Sequence, residues 1–175
     1  AVASPGRVAS RPLPGVVLLE SALDDAGQRE ALEWALRHGI DRRAWLDADG
    51  ALNAPRQFRG RCYDAVEAVD PSAGALSDAL QKAAKQAYGE VDPVGASTTH
   101  LLMLFYAKLE RGLGWHRDNG RSDGRDLAPV VSLSLGASCS FRMKHGPNDP
   151  ETVVQLESGD AILFGGPARH VMHAV

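Results

Sequence analysis

The spacing of apolar residues changes near Pro93, and that change constrains the fold more than any other feature of the chain. Before it, Leu76, Ala79, Leu80, Ala83 and Ala87 keep helical spacing, which predicts a helix over Ser72–Tyr88 punctuated by Gly89. An earlier helix is expected after a short strand at Val16–Leu19. Ser21 or Asp24 can cap it, Leu32, Ala35 and Leu36 share one face, and Gly39 stops it. Beyond Pro93 the pattern shifts to period two in short runs: His100–Tyr106, a segment opening at Trp115, Val130–Leu135, Ser140–Lys144, Thr152–Leu156, Ala161–Phe164 and His170–Val175. Gly136, Gly146-Pro147, Asn148-Asp149-Pro150, Ser158-Gly159 and Gly165-Gly166-Pro167 punctuate them as turns. Helices followed by many short strands predict an α+β fold: a double-stranded β-helix (jelly roll) core with two N-terminal helices packed on one sheet.

The expected organisation is a flexible N-terminal segment over 1–15 and a single domain over 16–175. The domain divides into a helical region, 16–95, and a jelly-roll core, 96–175. The longest apolar stretch, Leu101–Ala107, suits a buried strand and is far too short to span a bilayer. Net charge is −3 and the pI about 6.1, which excludes a generally basic nucleic-acid coat and leaves room only for a local basic patch. Cys62 and Cys139 form neither a disulfide framework nor a CxxC pair, so an intracellular, reducing compartment is expected.

Within the core half, Gly114-Trp115-His116-Arg117-Asp118 carries the chemistry. On an extended segment, residues two apart share a face, so His116 and Asp118 present an imidazole and a carboxylate together. A second histidine from a distant strand completes a 2-His-1-carboxylate face with open positions, the arrangement of non-haem Fe(II) oxygenases. Bare His-x-Asp is weak, since this composition gives roughly 0.5 such pairs by chance. Its place between strands, and a later strand pair that returns the chain toward it, strengthen the reading. His170 and His173 compete for the third position. An odd separation puts them on opposite strand faces, so one of them serves. His38, His100 and His145 have no partner spacing.

The run from Leu101 to Val175 resembles the core of the AlkB-type Fe(II)/2-oxoglutarate dioxygenases. Five segments carry the resemblance: Trp115-His116-Arg117-Asp118-Asn119; Ala128 to Gly136; Asn148-Asp149-Pro150; Gly159-Asp160; and Gly165-Gly166-Pro167-Ala168-Arg169 with His173-Ala174-Val175. The resemblance implies that His116, Asp118 and His173 hold Fe(II), and that 2-oxoglutarate and O2 are co-substrates. It favours His173 over His170. Tyr106 falls near a family tyrosine that contacts the co-substrate, and Leu104 stands where the family has an asparagine. Arg169 matches a family arginine near the iron, with a surface arginine as the equal alternative. The family also places an arginine beyond the second ligand histidine to pair with the distal carboxylate of 2-oxoglutarate. The chain is therefore expected to continue past Val175; Arg142 or Arg169 could substitute only by pointing inward.

By the same resemblance, the activity is oxidative demethylation of N-alkylated nucleobases in DNA or RNA, by hydroxylation of the methyl group and release of formaldehyde. The partner is then methylated nucleic acid, single-stranded or with its base flipped out. Arg56, Arg59, Arg61 and Tyr63 lie where the family builds its substrate lid, with aromatics interleaved among the cations as phosphate pairing and stacking require. The other reading of that stretch is an arginine-rich surface loop. Two further functions stay open: a same-fold iron oxygenase acting on a protein, lipid or small molecule, and a non-catalytic nucleic-acid-binding relative. A monomer is the default state.

Overall fold

A computed structural model describes residues 8–39, 58–63, 71–88, 101–106, 112–118 and 129–175. The described elements run β1 (Val8–Ser10), β2 (Val16–Glu20), α1 (Asp25–Gly39), β3 (Phe58–Tyr63), α2 (Pro71–Tyr88), β4 (Leu101–Phe105), β5 (Val130–Leu133), β6 (Cys139–Lys144), β7 (Thr152–Leu156), β8 (Ala161–Phe164) and β9 (Met172–Ala174). All pairings are antiparallel: a four-stranded sheet in the order β1-β2-β8-β5, a three-stranded sheet β7-β6-β9, and the pair β3-β4.

The four-stranded sheet is buried on both faces, and its central strands show why. In β8, Ile162 and Phe164 pack with Val16, Leu18, Phe141, Met143, Leu156 and Val171 between the two larger sheets. Ala161 and Leu163 point the other way, onto Leu80 and Ala84 of α2 together with Val17 and Leu19. Continuous apolar runs, rather than alternation, are what a strand covered on both sides requires. Burying each of the large side chains contributes about 1.5–3 kcal/mol relative to exposure. In β6 the pattern does alternate: Phe141 and Met143 are buried, while Ser140 and Arg142 face water.

Two expectations change. Val8–Ser10 is a strand paired with Glu20–Leu18 of β2, so structure begins inside the segment read as flexible. Gly15 makes this hairpin possible. Its φ is +82°, and a Cβ there would stand 2.6 Å from the Gly165 carbonyl oxygen. The two helices are not equivalent either. α2 covers the four-stranded sheet, whereas α1 makes its main contact with β3, and Leu32 and Leu36 are exposed. Helical spacing marks an apolar face without specifying what covers it. Among the described residues, no helix is long and apolar enough to cross a membrane.

Candidate metal centre

His173 sits in β9, opposite Met143 of β6. His116 reaches it through an antiparallel bridge in which each backbone N–H donates to the other residue's carbonyl, at 3.0 and 2.9 Å. The segment expected to open a strand at Trp115 thus forms a single bridge, after which Val175 donates to the Leu113 carbonyl at 2.9 Å. This bridge sets the two imidazoles side by side, with centroids 4.1 Å apart. Alternation along the backbone turns the Asp118 carboxylate to the same side. The Nε2 of His116 lies 3.6 Å from Asp118 Oδ1, and the Nε2 of His173 lies 3.7 Å from Oδ2. One ligand atom from each of the three residues falls within 4.8 Å of the others.

Two backbone carbonyls select the tautomers. His116 Nδ1 donates to the Gly114 carbonyl at 2.8 Å, and His173 Nδ1 to the Val171 carbonyl at 3.2 Å. A carbonyl only accepts, so Nδ1 carries the proton and each neutral ring keeps its Nε2 lone pair free. Three acceptors then converge with no donor among them. That donor set fits a cation, and the mixture of two imidazoles with one carboxylate fits Fe(II). Burial lowers the pKa of His173, with the neighbouring His116 acting in the same direction; the Val171 carbonyl and Asp118 oppose them. Burial thus favours the neutral ring.

The surroundings are asymmetric. His173 is 6% exposed, stacked against Phe141 and flanked by Phe164, while His116 and Asp118 are 28% and 34% exposed. The centre therefore has an apolar floor and opens on the His116–Asp118 side. His170, the rival candidate, is exposed and outside the cluster, and its backbone carbonyl accepts from Arg117. Tyr106 is on the rim. Burial pushes its pKa up, and the charges of Cys139 and Asp118 push it further, so the phenol stays neutral and within electrostatic reach of Asp118. Burial, followed by Glu157, likewise raises the Cys139 thiol.

The arginines separate. Arg142 points outward, bonded to Glu151 through Nε at 3.0 Å and Nη2 at 2.6 Å, and lies over the Trp115 ring. That orientation removes it as an inward substitute for the co-substrate arginine. Arg169 is buried beside the triad, and its Nη1 donates to the Asp118 backbone carbonyl at 2.7 Å. Arg59, Arg61 and Tyr63 belong to β3, where Arg59 pairs opposite Leu104 and Tyr63 opposite Leu101 across an irregularity in register. Arg56, His100 and Asn119 lie outside the described residues. From the sequence, Arg117 is one of several arginines flanking the motif, in a field that Asp123 and Asp126 dilute, and its bonds to the His170 and His145 carbonyls come only from the structure. The phenylalanine floor was not anticipated, although the alternation of β6 does place Phe141 inward.

The family model described as the 2OG-Fe(II) oxygenase superfamily matches residues 41–175. The chain belongs to this superfamily. Its members use Fe(II), 2-oxoglutarate and O2, and this oxygenase is AlkB-like by its relatives. It is 42% identical over 77 residues to the DNA N(6)-methyladenine demethylase ALKBH1C of Arabidopsis thaliana, covering 42% of this chain and 17% of the plant protein. It is 27% identical over 176 residues to the alpha-ketoglutarate-dependent dioxygenase AlkB of Salmonella typhimurium, covering 93% of this chain and 80% of the bacterial protein. The matched stretch spans less than a fifth of the plant relative's length. Among solved structures, OsALKBH1 superposes with a TM-score of 0.75 at 22% identity, over 95% of this chain and 87% of that one. This likeness establishes the shared jelly-roll fold.

Proposed function

We propose that this oxygenase removes methyl groups from N-methylated nucleobases in DNA or RNA, with Fe(II) held by His116, Asp118 and His173. The observation that carries the reading is the convergence of two Nε2 lone pairs and a carboxylate, with no donor among them. The AlkB-type relatives supply the substrate class.

With iron and 2-oxoglutarate bound, the site supplies oxidative decarboxylation coupled to hydroxylation of a C–H bond. The protein's part is placement. The Gly114 and Val171 carbonyls hold both imidazoles in the ligating tautomer. Phe141 and Phe164 keep water from the His173 side. The exposed His116–Asp118 side is where a methyl group enters, and Tyr106 contacts the co-substrate there. Arg56, Arg59, Arg61 and Tyr63 engage phosphates and bases of a single strand, or of a duplex whose target base has been flipped out. The enzyme acts as a monomer inside the cell.

The test is succinate and formaldehyde formation by Fe(II)-loaded protein against a panel of methylated oligonucleotides. Equimolar release of both products, lost in His116→Ala, supports the reading. Turnover that survives His116→Ala sinks the ligand assignment. Succinate formation indifferent to every oligonucleotide transfers the chemistry to a protein, lipid or small-molecule substrate.

A further inference from the structure

We infer that Arg117 and Arg169 are positioning residues, which clamp the two ligand-bearing segments together and hold the triad in its binding geometry before an ion arrives. This rests on the assignment of His116, Asp118 and His173 as ligands. The clamps are reciprocal. Arg169, four residues before His173, sends its guanidinium to the backbone carbonyl of Asp118. Arg117, between the other two ligands, sends its own to the carbonyl of His170, three residues before His173. Its second arm reaches the His145 carbonyl at 2.8 Å, just past the end of β6. Each ligand segment thus grips the backbone of the other, both clamps lying on the side of the His116–His173 bridge that leads to Asp118 and His170.

The ligand geometry explains why clamps are needed. The Asp118 carboxylate stands 3.6–3.7 Å from both Nε2 atoms, a placement the protein must hold before any ion draws the three together. Bridge hydrogen bonds anchor His116, but Asp118 lies two residues beyond the bridge and outside any strand. The Arg169 bond fixes its backbone there. A planar guanidinium fork can span two carbonyls, as that of Arg117 does; a lysine ammonium is a single point charge.

The experiment compares Arg117→Met, Arg169→Met and Arg169→Lys with the parent chain. Three quantities are read: Co(II) affinity of the metal-free protein by calorimetry, thermal melting without metal, and 2-oxoglutarate affinity at saturating Co(II). Each methionine variant is expected to lose about 10–100-fold in Co(II) affinity, as groups that orient ligands typically do. Arg169→Lys recovers part of that loss, and 2-oxoglutarate affinity at saturating metal is unchanged. The histidine Nε2 resonances of the metal-free variants should broaden or average, a change that loss of stability alone does not produce. Unchanged Co(II) affinity in folded variants overturns the inference. So does a loss confined to 2-oxoglutarate affinity in Arg169→Met, which makes Arg169 a co-substrate contact. If Arg169→Met does not fold, the exposed Arg117→Met decides. Parent-like Co(II) binding by His116→Ala instead overturns the ligand assignment beneath it.

Discussion

The Phe141 ring lies 5.4 Å from the His173 imidazole, with 17° between their planes, so a buried aromatic forms one wall beside that ring. The contact fixes the plane in which the Nε2 lone pair points. It also removes water from one side of the ring, which is the burial that lowers its pKa.

Phe141→Ala is expected to cost about 3–5 kcal/mol of stability, since it opens a cavity in the core between the sheets. Phe141→Leu costs less but frees the imidazole plane, so metal affinity falls further than stability does. Urea unfolding and Co(II) titration of the two variants separate these effects.

Asp118→Asn tests the convergence of acceptors. The amide keeps the shape and brings an N–H donor to face the Nε2 atoms. The metal-free protein should gain stability, by about 1 kcal/mol or less, while metal affinity drops by more than about 100-fold. A melting curve without metal and a Co(II) titration check both signs.

His173 gives the metal-free protein a pH dependence of defined direction. Its folded pKa lies below the ordinary 6.5. Between those two values the unfolded chain takes up a proton that the folded one refuses, so stability falls as pH drops below 6.5 and levels off below the folded pKa. Above 6.5 this contribution is flat. Urea unfolding from pH 7.5 to 5 should show the slope, and His173→Asn should lack this component.

Gly15→Ala forces a side chain into the left-handed region and against the Gly165 carbonyl. The backbone term alone is about 1–2 kcal/mol. Thermal melting should show at least that loss. Because Gly165 begins the turn that leads to Arg169, a weaker Co(II) affinity should accompany it.

Much of the site was legible because strand geometry is simple. Residues two apart share a face, which paired His116 with Asp118; residues three apart do not, which separated His170 from His173. The arginine clamps were not legible, because their acceptors are backbone carbonyls and any residue type supplies one. The fold divides in the same way. The run at Ala161–Phe164 announced a buried strand without saying that its two faces serve different layers. Leu32 and Leu36 marked an apolar helix face that the four-stranded sheet does not cover. Val8–Ser10 is too short to display a period at all.

The bridge between His116 and His173 has a consequence for biogenesis. Its two halves come from opposite ends of the jelly-roll region, so the loop between them must close before either imidazole finds its partner. A partly synthesised or partly folded chain offers an ion scattered, weak donors. Tight metal loading becomes a quality check, passed only by molecules in which β9 has docked against β6.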